Sequence, residues 1–460
     1  MVTEARLRPV TEGSERRLRF HHYLALCKKK YTKDEKEKIM KNLALSPADI
    51  LLPDFSVTNG TKYAVIACDQ FTSEPAYWEA AAATVGDAPS ALSMILPECY
   101  LSERASRIAP INAAMDRLLA SGLFKTYEDS IIYLERTCPD GRIRRGLVAK
   151  IDLECYGFLP SDTLPIRATE GTVLDRIPPR VEIRRDAALE LPHVMLLLDD
   201  PDGTVIEAVA KTATRNETVY DFPLMAGGGH VRGYLLSDAE KAVVDDALAA
   251  LADGAVQAAK YGKEGPALLF AVGDGNHSLA TAKTAYEELK AKIGEDAAKT
   301  HPARYALVEV VNLHDSALDF EPIYRVVMGA DSADLLSAFR AFCEKNGNTT
   351  LAPSEFVAII GGSEVALSLP ATHVQPVGTL QQFLDEYAKT HPEMEVDYIH
   401  DEDSLRALAD ADGVIGFLFR GMEKEDLFPA IVAGGPLPRK TFSMGHARDK
   451  RYYLEARKIK

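Results

Sequence analysis

A chain of 460 residues with 47% hydrophobic and 26% charged side chains is too long for one ordinary core, which stops growing near about 250–300 residues, and too apolar to be extensively disordered. Its formal charge of −15 opposes nucleic acid and anionic membrane surfaces unless basic groups are segregated into a local patch, which argues against a general polyanion binder. The six cysteines, Cys27, Cys68, Cys99, Cys138, Cys155 and Cys343, include no CxxC pair, which argues against a disulfide framework or a zinc ribbon.

In chain order, residues 1–48 form a basic N-terminal appendage in which the Lys28–Lys41 stretch interleaves acidic residues and predicts a short helix before Ser46-Pro47. The opening residues lack the apolar stretch and small-residue cleavage site of a secretory signal. No apolar run approaches the ~20 residues of a membrane helix, and the expected location is the cytoplasm. The Lys62–Cys68 run predicts a buried strand that empties into Asp69-Gln70-Phe71-Thr72-Ser73 ahead of a helix around Trp78. From about 130 to 235 strands are predicted at Ile131–Leu134, Leu147–Leu153, Val194–Leu198 and Val205–Val209, separated by Pro, Gly and Asp turns.

After Ser237 the rhythm becomes helix (Asp238–Tyr261), strand (Ala267–Val272), helix (Leu279–Ile293) and strand (Tyr305–Val311), an α/β alternation. A further alternation follows, with helices near Ala333–Lys345 and Leu380–Lys389 and strands at Val365–Leu369 and Val414–Phe419. The expected division is therefore an appendage (1–48), a catalytic α/β domain (49–330) and a C-terminal α/β domain (331–460). The basic tail of the last, with Pro436, Pro438, Arg439 and Lys440 together, is a stiff platform suited to an anion.

Three segments could carry chemistry. In Gly273-Asp274-Gly275-Asn276-His277-Ser278 a buried strand ends in a glycine-bracketed polar turn and a helix begins at once. Asn276 or Ser278 could cap that helix, its amides would favour a phosphate, and Gly273 and Gly275 would permit close approach. Asp274 could hold a magnesium ion or orient an acceptor, and His277 could donate to a phosphoryl oxygen. The same spacing also suits a capped turn with an incidental histidine.

The second segment is Arg167-Ala168-Thr169-Glu170-Gly171-Thr172, continued by Arg176 and Arg180. Five arginines crowd this region of an acidic chain, Arg184 and Arg185 being the other two, and the guanidinium fork suits carboxylate or phosphate. Glu170, flanked by hydroxyls and a glycine, has the placement of a general base; Arg184 and Arg185 read as surface ion pairs. The third is Gly227-Gly228-Gly229-His230, which suits a ligand wrap and a hairpin bend equally. His193, His301, His314 and His373 stand alone and have no zinc-ligand spacing, so a structural role is their default. The absence of GxxxxGK[ST], GxGxxG and GxSxG disfavours P-loop kinases, fingerprint dinucleotide enzymes and α/β-hydrolases.

Lys62-Tyr-Ala-Val-Ile-Ala-Cys-Asp-Gln-Phe-Thr72, Thr169-Glu-Gly-Thr-Val-Leu-Asp-Arg-Ile-Pro-Pro-Arg180 and Gly273-Asp-Gly-Asn-His277 together resemble the domain-of-unknown-function family 1015, from about residue 50 to the C-terminus. That family is similar to the free-serine kinases of the ParB/sulfiredoxin superfamily, and some members are pyrophosphate-using serine kinases. The resemblance implies an α/β (α+β) fold, with mixed β-sheets in a ParB/sulfiredoxin-like catalytic core and a smaller C-terminal α/β unit. It implies conversion of L-serine to O-phospho-L-serine, with pyrophosphate preferred over ATP or ADP.

By that resemblance the Glu of the wider family's His-Glu-x-Thr segment falls on Glu170, and its Asp-Gly-His-His loop falls on Asp274, Gly275, Asn276 and His277. Asn276 replaces the first His and Ser278 the usual Arg. The expected catalytic residues are Glu170, Asp274 (with Mg2+) and His277. Phosphate and substrate contacts are expected from Asp69, Arg167, Thr169, Thr172, Arg176, Arg180, His230, Gly273, Gly275, Asn276, Ser278 and Lys440. Serine and pyrophosphate or a nucleotide are the expected partners, with neither nucleic acid nor membrane. A non-catalytic nucleotide or anion sensor and a metal-dependent phosphatase are the alternatives.

Overall fold

The computed structural model describes residues 44–351, 356–370 and 376–460. The helix expected before Ser46, most of the expected appendage, Cys27 and His373 lie outside these residues. The fold is mixed α/β, as expected, and is built on one large mixed sheet. Its strands run in the order Thr218–Pro223, His230–Leu235, Ile132–Thr137, Ile143–Asp152, Tyr305–Asn312, Met195–Leu198, Phe270–Asp274, Ile166–Ala168 and Tyr156–Gly157, and Leu45–Ser46 adds to Ile143–Asp152.

Side-chain alternation along these strands divides the core. Leu196, Leu198, Phe270 and Val272 pack on one face with Val209, Val244 and Tyr286 of three helices. Leu197, Ala271 and Val311 face the other way, toward Leu427, Phe428 and Met444 of the C-terminal region. Both faces are covered, which is why these strands read as nearly continuous apolar runs.

A second, antiparallel sheet runs Ser363–Ala366, Phe356–Ile360, Val414–Phe419, Tyr324–Met328 and Glu395–Ile399. Phe339, Phe383 and Leu405 of the helices Ser332–Lys345, Pro376–Tyr387 and Glu402–Ala409 complete its core. The expected boundary at 330/331 falls between the strand Tyr324–Met328 and the helix Ser332–Lys345 of this unit.

The chain then returns to the first body. Phe442–Met444 pairs with Phe320–Pro322, Tyr452–Tyr453 with Val65–Ile66, and Arg457–Lys458 with Leu189–Glu190. Among the described residues no helix is long and apolar enough to cross a membrane.

Three local expectations are corrected. Val205–Val209 is not a strand: Ile206–Ala213 is a helix that buries Ile206, Val209 and Ala213 at helical spacing. The Asp200 carboxylate accepts from the Val205 amide at 2.8 Å just before it. The Lys62–Cys68 run is a helical turn, Gly60–Tyr63, capped by Asn59, and then the short strand Val65–Ile66. The single helix over Asp238–Tyr261 is two, because the Asp253 carboxylate caps the second through the amides of Ala255 and Val256.

Candidate functional site

Phe270–Asp274 and Ile166–Ala168 are adjacent parallel strands, with Val272 opposite Ala168. Parallel neighbours end at the same edge of a sheet, where the crevice beyond the carboxyl ends is a recurrent place for ligands. Glu170 and Asp274 therefore emerge side by side although about a hundred positions separate them in the chain. The Asp274 charge is one of the influences that raise the Glu170 pKa.

The Asp274 loop is shaped by two glycines. The pairing with Met195–Leu198 shifts between Met195 and Leu196, so Gly273 is the extra residue of a bulge that re-aims Asp274. A Cβ on Gly273 would come within 2.8 Å of Leu197 and Met444. Gly275 is left-handed, with φ 78°, and is the N-cap of the helix Asn276–Ile293, where no side chain forms a capping bond. The expected cap by Asn276 or Ser278 is thus absent. Asn276 instead turns its Nδ2 toward Thr169 Oγ1 at 3.3 Å and Val272 O at 3.4 Å. The uncapped amides of this long helix begin directly after Asp274, at the positive end of its dipole.

At Gly275 an alanine Cβ would lie 3.1 Å from Val194 Cα in a backbone conformation that disfavours side chains. We expect Gly275→Ala to lose at least about 1–2 kcal/mol of stability, measured from denaturant midpoints, and to impair any ligand binding at Asp274. An unchanged midpoint would show that the turn does not need this conformation.

On the opposite side the C-terminal tail runs beside the Glu170 segment. Leu437 N–H donates to Thr169 O at 2.7 Å and Gly171 N–H to Leu437 O at 3.0 Å. Lys440 N–H donates to Glu170 Oε2 at 2.8 Å. Lys440 has φ 60°, uncommon for a residue with a side chain. Fully buried Arg325, from the second sheet, holds the turn by donating to the carbonyls of Arg439 and Lys440 at 3.0 and 2.9 Å. Burial raises the Glu170 pKa above the usual carboxylate range, against the lowering effect of the Lys440 amide and ammonium.

His277 Nε2 accepts the Val173 N–H at 3.3 Å, which leaves the ring proton on Nδ1. Burial and the charges of Arg180 and Arg176 lower its pKa from 6.5 to about 4. At neutral pH it is therefore an uncharged donor through Nδ1. The unfolded chain takes up this proton near pH 6.5 and the folded protein only near 4, so the stability tied to neutral His277 is complete above pH 6.5 and diminishes as pH falls toward 4. His277→Gln is expected to flatten that part of the stability profile between pH 7 and 4. Equal slopes in denaturant titrations of the two proteins would refute it.

Three side-chain oxygens here are buried without a hydrogen-bond partner, namely Asp274 Oδ2, Asn276 Oδ1 and Thr172 Oγ1. Such groups are costly unless a ligand completes them. Asp69 joins the same neighbourhood: its Oδ2 lies 3.8 Å from His193 Nε2, and His193 Nδ1 is 2.7 Å from the Tyr453 hydroxyl. Burial would raise the Asp69 pKa, yet His193, Gln70 and Lys450 hold it lower.

Other expected residues are engaged elsewhere. Arg167, expected on a phosphate, spends its guanidinium on the carbonyls of Leu164, Thr163 and Pro266 at 2.8, 3.1 and 3.0 Å. Arg180 pairs with Glu98, and Arg176 is exposed near His277. Thr169 donates to Val272 O at 2.6 Å and ties the two loops together; Ser278 lies half-buried in the first turn of the helix.

The triple glycine is a tight bend between paired strands, with Leu224 N–H bonded to Gly229 O at 2.8 Å and its glycines packed against Tyr452 and Thr137. His230 pairs with Asp221 at 3.1 Å rather than with the crevice residues. His193 and Arg325 carry no local sequence signal of a site, and that of Lys450 is limited to the charged run Arg448-Asp449-Lys450-Arg451. A separate surface cleft lies between the helices Ile177–Arg185 and Asn276–Ile293, but its Arg184 and Arg185 are paired with Glu190 and Glu288.

Among the described residues no group of three or more His, Cys, Asp and Glu side chains is arranged to hold a metal ion. Magnesium needs no such cage when phosphates and water supply most of its ligands, and Asp274 Oδ2, which has no hydrogen-bond partner and lies 3.5 Å from the Lys450 ammonium, is a suitable protein oxygen.

The model of the family described as "Protein of unknown function (DUF1015)" matches residues 53–387. The chain belongs to the DUF1015 family. Among solved structures, this DUF1015 protein is similar to a mutant free serine kinase in complex with ADP, at 11% identity and TM-score 0.38, covering 69% of this chain and 93% of that one. It is also similar to a conserved hypothetical protein from Pyrococcus furiosus, at 12% identity and TM-score 0.35, covering 68% and 95%. A third is C-terminally truncated SbnI from Staphylococcus aureus, at 8% identity and TM-score 0.34, covering 65% and 82%. No curated protein matches the chain.

Proposed function

We propose that this DUF1015 protein is a phosphotransferase that phosphorylates the hydroxyl of free L-serine, with pyrophosphate as the preferred donor. The observation behind this reading is the common sheet edge at which a carboxylate of raised pKa, Glu170, stands beside an uncapped helix N-terminus and Asp274. A hydroxyl attacks phosphorus poorly at neutral pH, so the reaction needs a base at the oxygen and positive charge around the phosphates. Serine as acceptor and pyrophosphate as donor rest on the family resemblance of the motifs.

Glu170 takes the proton from the serine hydroxyl as the serine oxygen forms its bond to phosphorus. The bond from that phosphorus to the bridging oxygen breaks, and inorganic phosphate leaves with the electron pair. The amides at Asn276–Ser278, the Nδ1–H of His277 and the Lys440 ammonium face the phosphates, with Arg176 at the rim. Asp274 would hold a magnesium ion, whose chemistry is to offset phosphate charge. The raised pKa of Glu170 favours proton uptake by its carboxylate and shifts the acidic limb of the rate profile upward. Soluble location in the cytoplasm belongs to the same proposal.

The test is a screen of the purified protein with serine and with pyrophosphate, ATP or ADP in turn, scoring phosphoserine. Phosphoserine from serine and pyrophosphate supports the reading. Phosphate release that does not require serine would instead indicate a phosphatase, and ligand-induced thermal stabilisation without turnover would indicate a sensor.

A further inference from the structure

We propose that Lys450 is a phosphoryl-binding residue of this crevice, its ammonium donating to an anionic oxygen of a bound pyrophosphate or phosphate. The inference deepens the phosphotransferase reading and rests on it for the identity of the donor. Lys450 is 9% exposed, and the closest charge partner of its Nζ is Asp274 Oδ2 at 3.5 Å, too long for a strong hydrogen bond. Its charge also acts on Glu170 and Asp69. Its charge is therefore felt by three carboxylates, those of Asp274, Glu170 and Asp69.

Other sheltered lysines of this chain show what a structural role looks like. Lys424 donates to the carbonyls of Asp315 and Leu318 at 3.0 and 2.9 Å. Lys260 meets the Asp199 carboxylate at 2.9 Å and bonds the Asp199 carbonyl. An ammonium has three donors. The Lys450 ammonium is engaged differently, by the 3.5 Å ion pair with Asp274 Oδ2, an oxygen that itself has no hydrogen-bond partner. A ligand oxygen between the Lys450 ammonium and the helix mouth would complete the lysine.

The backbone around Lys450 is held in place independently of its side chain. Arg144 donates to Asp449 O at 2.7 Å, Arg136 to Arg448 O at 3.0 Å, and Ala67 N–H to Arg451 O at 2.9 Å. Those anchors bring a residue far along the chain to the ends of the strands that carry Glu170 and Asp274. The ammonium moves no proton: it stabilises charge that builds on the transferred group and on the departing phosphate.

Full-length Lys450→Met and Lys450→Arg would be compared with wild type by calorimetric titration with inorganic pyrophosphate, by steady-state phosphoserine formation and by melting temperature. The expected result is pyrophosphate binding weakened at least tenfold in Lys450→Met and kcat reduced by about 10²–10³, the scale of one lost donor to a developing anion. Lys450→Arg should recover at least tenfold of the lost rate. Wild-type pyrophosphate affinity in Lys450→Met would overturn the proposal, as would losses of equal size in both variants that follow a fall in melting temperature. Failure of the wild-type protein to bind pyrophosphate would also overturn it. Lys450-dependent pyrophosphate binding without any phosphoserine would leave the inference standing and reject serine as the acceptor.

Discussion

Glu170→Gln is expected to reduce phosphoserine formation by about 10²–10⁴-fold, the usual contribution of a positioned base, with no fall in the unfolding midpoint. The amide side chain has nearly the same shape and keeps an oxygen that can accept the Lys440 N–H, bonded at 2.8 Å in the parent. It cannot take up the hydroxyl proton. Glu170→Ala should lose that contact with the tail as well, so it should lose both activity and the placement of Lys440. Comparing the two by steady-state kinetics and denaturant titration separates chemistry from support. Wild-type turnover in the glutamine variant would remove Glu170 from the mechanism.

The Asp274 loop was readable in the sequence because its determinants are local: an apolar strand ends, two glycines bracket a carboxylate and a helix starts. Glu170 was readable for the same reason, and the parallel pairing of the two strands supplies what bare spacing lacks, a common sheet edge. Arg167 shows the limit of local charge as a signal. Arginines clustered in an acidic chain are consistent with anion recognition, but a guanidinium fits three backbone carbonyls equally well, and only the fold says which partner is present. Val205–Val209 misleads in a related way. Its β-branched residues favour a strand, whereas burial of Ile206, Val209 and Ala213 on one side selects a helix. Lys450 had no comparable local signal, because its position depends on a tail that pairs with three strands distant in the sequence, and His193 is linked to the site only through Asp69 and Tyr453.

That return of the tail leads to the largest expected effect on stability. Arg451 is 3% exposed and pairs with Glu309 and, at 2.6 Å, with Glu455, both 1% exposed; it also donates to Pro192 O at 3.0 Å. Burial alone would lower the Arg451 pKa, but the two carboxylates prevail and raise it. Arg451→Met would leave Glu309 to Arg144 and Glu455 to the Tyr220 hydroxyl. Breaking a buried pair from one side typically costs about 3–5 kcal/mol, because a charge remains without its partner. Arg406→Ala removes a partly exposed arginine from Glu364 and Glu402 and is expected to cost less than about 1 kcal/mol.

Acid should narrow the difference between Arg451→Met and wild type. The Glu309 pKa is lowered in the folded protein, with Arg144 and Arg451 overcoming burial, so its stabilisation is present above the ordinary value of 4.5 and is lost as pH falls through the folded value. Denaturant midpoints at pH 7 and at successive pH values below 4.5 would measure both effects. If Arg451→Met and Arg406→Ala cost the same at pH 7, the buried ion cluster is not what fixes the tail. The position of Lys450 would then have to come from the backbone pairing of Tyr452–Tyr453 and the arginine bonds to the carbonyls of Arg448 and Asp449.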